Sequence, residues 1–159
     1  MNATPEVQKS DAAREIMHTR LVDAARELVF RAFSEPEHMA RVWGPKDFRN
    51  TFHEFDFRPG GHWRFIMHGP DGTDYPNHNV FLEIVPPERI ILRHAFDPDH
   101  DFQMTILLEE RGGQTQVTWR MLFDTVEKCA AIRPFVTEAN SQNLDRLEAE
   151  VALMKSSAL

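Results

Sequence analysis

Cysteine is almost absent from this chain, and so are long apolar runs. Cys129 is the single cysteine among 159 residues, so no internal disulfide can form. Such a composition is typical of a reducing compartment. No apolar stretch approaches the ~20 residues that span a bilayer, and the first residues lack the apolar core of a signal peptide. We therefore expect a cytoplasmic protein without a membrane partner.

An excess of positive charge is also missing. The formal net charge is −7 with the eight histidines neutral, and no basic stripe is present, which argues against a nucleic-acid partner. The histidines form no HxH or HExxH motif and no Cys/His cluster, so we expect no metal site and no other cofactor. No serine lies in a nucleophile-elbow motif, and the sequence therefore offers no complete catalytic signature.

The chain does have the composition and length of one globular domain. Hydrophobic residues make up 42% and charged residues 27% of it, enough to form its own core. The polar residues 1–13 are predicted to be a flexible N-terminus, and residues 14–155 to be a single domain. We find neither an internal repeat nor a linker.

Turn signals divide the middle of the chain into strands. A first strand is predicted at 15–23, followed by two short helices, the first at 24–33 and the second ending near Trp43. Five breaks rich in Gly, Pro and Asp then delimit six strands between Phe48 and Phe123, all antiparallel because the loops are short. Residues 125 to about 155 have helix-forming composition, and Pro134 is predicted to break or kink this helix near its start. The expected fold is therefore α+β, a seven-stranded curved antiparallel sheet around a long C-terminal helix.

The turn lengths also predict which side chains face that helix. They place apolar residues on one face of the sheet, together with His78 and His94, and charged residues such as Arg64 on the other. One end of the apolar face is aromatic and lies under the first helical turns, where small or polar residues leave space. We expect a ligand cavity there, and the candidate ligand-binding residues are Phe55, Trp63, Phe65, His78, His94, Phe96, Met104, Trp119, Met121, Phe135 and Asn140.

Several segments resemble one protein family. They are LVDAARELVFRAFSEPEHMARVWGP (21–45), FDFRPGGHWRFIMHGPDG (55–72), FLEIVPPERIIL (81–92) and NLDRLEAEV (143–151). In this order they are similar to the activator-of-Hsp90-ATPase-homologue branch of the START-like (SRPBCC) superfamily. The resemblance implies the helix-grip fold and a cavity for a small, largely apolar ligand. Relatives often carry Gly-Trp where this chain has Ala139-Asn140, a change that would enlarge the cavity.

Three functions are compatible with the sequence. The first is non-enzymatic binding of a small hydrophobic or aromatic molecule, which we favour over an enzymatic role. The second is a cyclase or dehydratase in which His78 or His94 acts as a base and Asn140 orients an oxygen. The third is a stress- or chaperone-related protein-interaction domain, and a homodimer is left open.

Overall fold

The structure is a computed structural model that describes residues 12–95 and 101–157. It confirms the predicted α+β architecture, with seven strands in one antiparallel sheet and a long C-terminal helix. The strands are β1 (Glu15–Val22), β2 (Arg49–Phe55), β3 (His62–His68), β4 (Asp74–Val85), β5 (Arg89–His94), β6 (Phe102–Arg111) and β7 (Gln114–Phe123). The helices are α1 (Arg26–Ser34), α2 (Pro36–Val42) and α3 (Val126–Ser157). The predictions for residues 1–11 and for the turn at 98–100 lie outside the described residues.

The sheet order follows the chain, except that β1 is placed beside β7. The order is β1-β7-β6-β5-β4-β3-β2, as short hairpins predict, and every neighbouring pair is antiparallel. Strand β7 alternates strictly between buried and partly exposed side chains. This period of two is the pattern of a sheet with one face against the core.

Helix α3 lies across the inner face of the sheet. Its second half buries Leu144, Leu147 and Val151, which are each about 1% exposed or less. The helix is not broken at Pro134, contrary to one of the predicted alternatives, because its hydrogen-bonded turns continue on both sides. Within the described chain, no helix is long and apolar enough to cross a membrane.

The main correction to the predicted register concerns β4. The predicted pairing is right next to the β4–β5 turn, where Ile84 opposes Ile90, but a β-bulge lies between Phe81 and Glu83. The extra residue flips the preceding part of β4 by one position. Phe81 and Asn79 therefore face the core, whereas His78 faces the outer side of the sheet.

Two other pairings are shifted by two residues, which leaves Phe55 and His94 on the predicted face. Phe55 opposes Trp63, not Phe65 as predicted, and a second bulge in β2 then aligns Phe52 with Phe65. His94 opposes Phe102, two residues from the predicted partner Met104. The register of β6 and β7 is confirmed, including the pair of Met104 and Met121.

The bulge in β4 predicts opposite responses from two neighbouring residues. Phe81 is fully buried and Leu82 is 45% exposed. Phe81→Ala should lower the free energy of unfolding by about 3–5 kcal/mol, because it leaves a core cavity. Leu82→Ala, the matched control, should change it by about 0.5 kcal/mol or less. Urea unfolding of both variants measures this, and a larger loss for Leu82→Ala would contradict the observed register.

Candidate functional site: a cavity between the sheet and helix α3

A cavity of about 200 Å³ lies between the inner face of the sheet and the first half of α3. Its walls come from α3, from strands β3 to β7 and from the segment that follows α2. The lining residues are Trp43, Gly44, Pro45, Met67, Asn77, Asn79, His94, Phe102, Met104, Trp119, Met121, Val136, Ala139, Asn140 and Asn143. The cavity therefore lies at the position that the sequence predicts, over the aromatic and methionine-rich end of the sheet.

The space exists because α3 presents little bulk to this part of the sheet. Val136, Ala139 and Asn140 form its wall, and Asn140 donates a hydrogen bond to the sulfur of Met121 on β7. Opposite them are the buried side chains of Met104, Met121 and Trp119, each 4% exposed or less. The space opens to the surface, and at about 200 Å³ it is several times the volume of a water molecule.

The structure brings five of the eleven predicted site residues to this cavity: His94, Met104, Trp119, Met121 and Asn140. Trp63 and Phe65 are buried beside it in an aromatic cluster, with ring centroids 4.5 Å apart. Phe55 belongs to the same cluster, 5.5 Å from the ring of Trp63. These three predicted residues contribute to the core behind the cavity wall and do not line it.

Two further predicted residues are corrected, and one is outside the described chain. Phe135 is 75% exposed, because it lies on the side of α3 that faces away from the sheet. His78 lies on the outer sheet face as a result of the bulge in β4, and its imidazole Nε2 is 2.8 Å from Nδ1 of His62. Phe96 lies outside the described residues.

Two features of its surroundings lower the pKa of His78 on the outer face. Burial lowers the pKa of His78, and the positive charge of Arg64 lowers it further. The two imidazole rings of His62 and His78 are stacked, with centroids 5.0 Å apart. This pair belongs to the outer face, so the predicted inward pair of His78 and His94 does not form.

The sequence interpretation missed the roof of the cavity, which is the segment from Trp43 to Pro45. The indole of Trp43 contacts those of Trp63 and Trp119, at centroid distances of 4.9 and 5.2 Å. Gly44 has φ +96°, and a side chain there would collide with the methyl group of Met67. The sequence predicts that the second short helix ends near Trp43-Gly44-Pro45, but no local sequence pattern indicates that this segment folds over the sheet.

Side-chain hydrogen bonds from α3 hold this roof in place. Asn143 donates to Val42 O at 2.7 Å and accepts from the Gly44 N–H at 3.0 Å. Nη1 of Arg146 lies 2.8 to 3.1 Å from the carbonyl oxygens of residues 43 to 45. These contacts satisfy the carbonyl group of Val42, the last residue of α2, and those of the three residues that follow it.

A buried carboxylate fastens α2 itself to α3. Glu150 is 4% exposed and accepts hydrogen bonds from Arg41 Nε at 2.9 Å and Nη2 at 2.8 Å. It also contacts His38 Nδ1 at 2.6 Å. Burial alone would raise the pKa of Glu150, but the hydrogen bonds from Arg41 and His38 outweigh it and lower the pKa below its ordinary value.

Among the described residues, one group of potential metal ligands lies next to this contact between α2 and α3. Ligand atoms of Glu35, Glu37 and His38 are within 4.8 Å of one another. Glu35 is ion-paired with Arg31 at 2.9 Å, and His38 contacts Glu150. Ion pairing therefore accounts for the positions of two of these three groups.

The cavity has polar groups as well as apolar walls. Asn79 is 1% exposed, and its Oδ1 is 2.9 Å from Nδ1 of His94. Asn140 Nδ2 donates to the sulfur of Met121 at 3.3 Å. Among the described residues that line the cavity, Asn79 Nδ2 and the indole N–H of Trp119 are buried without a hydrogen-bond partner.

The fold and the cavity define a helix-grip protein, and comparison with known families specifies which kind. Residues 23–152 match the family model of the Activator of Hsp90 ATPase homolog 1-like proteins. Because this match covers most of the chain, the protein belongs to that family, a START-like group whose members commonly bind hydrophobic ligands. None of the curated proteins compared with the chain matches it.

Solved bacterial structures share the fold at low sequence identity. A Nitrosomonas europaea protein has a TM-score of 0.82 at 23% identity, over 91% of this chain and 97% of its own. A protein from Arthrobacter aurescens also has a TM-score of 0.82 at 23% identity, with 89% and 87% covered. For one from Chromobacterium violaceum the TM-score is 0.74 at 28% identity, with 85% and 95% covered.

The link between α2 and α3 should depend on pH. Because the pKa of Glu150 is lowered in the folded protein, its carboxylate stabilises the fold above its ordinary pKa, and this stabilisation disappears as the pH falls through the lowered value. Glu150→Gln should reduce the free energy of unfolding by about 1–3 kcal/mol at pH 7. The difference from the parent should shrink as the pH falls below about 4.

Denaturant unfolding at several pH values measures this difference. Glu138→Gln is the control, since Glu138 lies on the exposed side of the same helix. The control should match the parent protein at every pH. A loss of stability in Glu150→Gln that does not depend on pH would contradict an ionised carboxylate at this position.

Proposed function

We propose that the protein binds a small, largely apolar molecule in the cavity beneath Trp43. The observation that carries this proposal is the composition of the cavity wall. It combines three methionines with Trp43, Trp119 and Phe102, and it includes a few asparagines and one histidine. Sites for small molecules typically combine aromatic and apolar walls with a few fixed polar groups.

The size of the cavity limits the ligand. A volume of about 200 Å³ is below the usual range of 300–1,000 Å³ for ligand pockets, so the ligand is about the size of one or two fused rings. Methionine side chains are flexible and polarizable. Met67, Met104 and Met121 can therefore adapt to ligands of somewhat different shape.

Binding without catalysis fits the cavity better than an acid–base reaction. The described lining residues include no carboxylate, lysine or arginine, and His94 is their single titratable side chain. The cyclase or dehydratase hypothesis requires histidines that face the cavity, but His78 lies on the outer face of the sheet. A carrier or sensor of a small molecule needs only the cavity and its polar anchors.

Filling the cavity should remove binding and stabilise the empty protein. Asn140 lines the cavity from α3, and the indole of Asn140→Trp would occupy much of the space. We expect the free energy of unfolding to rise by about 0.5–2 kcal/mol, as for other cavity-filling changes. The thermal shift that two-ring aromatic compounds produce in the parent protein should disappear in this variant.

Phe135→Trp is the matched control. It introduces the same side chain on the same helix but at an exposed position, so both stability and ligand response should equal those of the parent. Mass spectrometry of small molecules that copurify with the parent and with Asn140→Trp gives a second readout. If Asn140→Trp lowers stability and leaves the ligand response intact, the compounds bind elsewhere and the proposal fails.

A further inference from the structure

We propose that the ligand carries a carbonyl-type oxygen and that Asn79 Nδ2 donates a hydrogen bond to it. This inference rests on the proposed function, because it assigns the chemistry of a ligand in the same cavity. It comes from polar atoms that the fold buries without satisfying. Two side-chain atoms of the described cavity lining are in this state, Asn79 Nδ2 and Trp119 Nε1.

Both of these atoms are hydrogen-bond donors. The carboxamide Nδ2 and the indole N–H donate, and neither can accept. Both residues are 1% exposed, so bulk water does not reach them. A buried donor without a partner is costly. A ligand that places an acceptor oxygen in the cavity removes this cost, whereas a pure hydrocarbon leaves it in place.

The neighbouring histidine fixes the direction of the Asn79 amide. His94 Nδ1 is 2.9 Å from Oδ1 of Asn79; in the tautomer with its proton on Nδ1 the imidazole donates there, and Nδ2 of Asn79 is turned away from the ring. The ring of His94 is itself held by stacking on Phe102, at a centroid distance of 5.0 Å. His94 thus acts as a positioning residue, and the Asn79 donor is oriented before the ligand arrives.

The backbone explains why this polar residue lies in the core. The β-bulge after Phe81 turns Asn79 inward, opposite Trp63 on β3 and His94 on β5. An apolar side chain at this position would pack equally well but would remove the acceptor that His94 Nδ1 uses. That hydrogen bond accounts for Oδ1 of Asn79 and leaves Nδ2 unexplained, and a ketone or another carbonyl on a small ring compound fits it.

A pair of nearly isosteric probes tests the inference. Tetralin is a two-ring hydrocarbon, and 1-tetralone has the same rings with one carbonyl oxygen. We expect the parent protein to bind 1-tetralone about tenfold more tightly than tetralin, measured by calorimetry. Asn79→Leu keeps a similar shape and removes the donor, so it should bind both probes with equal affinity.

The carbonyl stretch of bound 1-tetralone gives a readout that does not depend on affinity. In the parent protein its infrared frequency should be lower than in hexane, because the oxygen accepts a hydrogen bond. In Asn79→Leu it should return to the hexane value. If that variant does not fold, Asn79→Ala serves in its place, and the parent's spectrum remains a test by itself.

The other outcomes separate the inference from the proposed function. Equal affinity for the two probes with an unshifted carbonyl frequency would overturn the inference and leave the apolar cavity intact. A shifted frequency that persists in Asn79→Leu and vanishes in Trp119→Phe would assign the donor to Trp119 and overturn the role of Asn79. Binding of neither probe to the parent protein would overturn the proposed function itself.

Discussion

The hydrogen bonds that α3 makes to the end of α2 are the constraint on which the cavity depends. Asn143 and Arg146 bind the backbone of Val42 and of the roof segment, Trp43 to Pro45. Asn50 Nδ2, on β2, donates to the carbonyl oxygens of Ala40 and Trp43 at 2.9 Å. Trp43 lines the cavity and is 9% exposed, so its position defines one wall of the space. Burial lowers the pKa of the Arg146 guanidinium, but a guanidinium stays charged in proteins, so the three carbonyls face a permanent cation.

With the roof fixed, the composition of α3 divides the inner face of the sheet into two parts. The second half of the helix presents leucine and valine and closes a conventional core. Its first half presents small and polar residues above the methionines of β6 and β7, and the cavity lies between them. The cavity therefore results from the small side chains in the first half of α3. The surrounding hydrogen bonds hold the segments that form its walls in position.

Most of the fold could be predicted, because it follows from the turn residues and from the alternation of polar and apolar residues along the strands. Gly112-Gly113 set the β6–β7 register correctly, and the position of the cavity followed from the small residues of α3. The face of His78 was wrongly predicted, because Val80, Phe81 and Leu82 are all apolar and the alternation there fits either face, so it does not locate the bulge at Leu82. The roof was missed for a different reason. Its contacts join residues about 100 positions apart, such as Asn143 and Val42, and local patterns do not report them.

Methyl NMR of methionine-labelled protein tests the central claim most directly. The methyl groups of Met67, Met104 and Met121 line the cavity, whereas those of Met17, Met39 and Met154 lie elsewhere in the fold. Titration with 1-tetralone should shift the first three resonances and leave the other three unchanged, with each signal assigned by a Met→Leu variant. Shifts at Met17 or Met154 with the cavity methyls unchanged would contradict an apolar ligand site beneath Trp43.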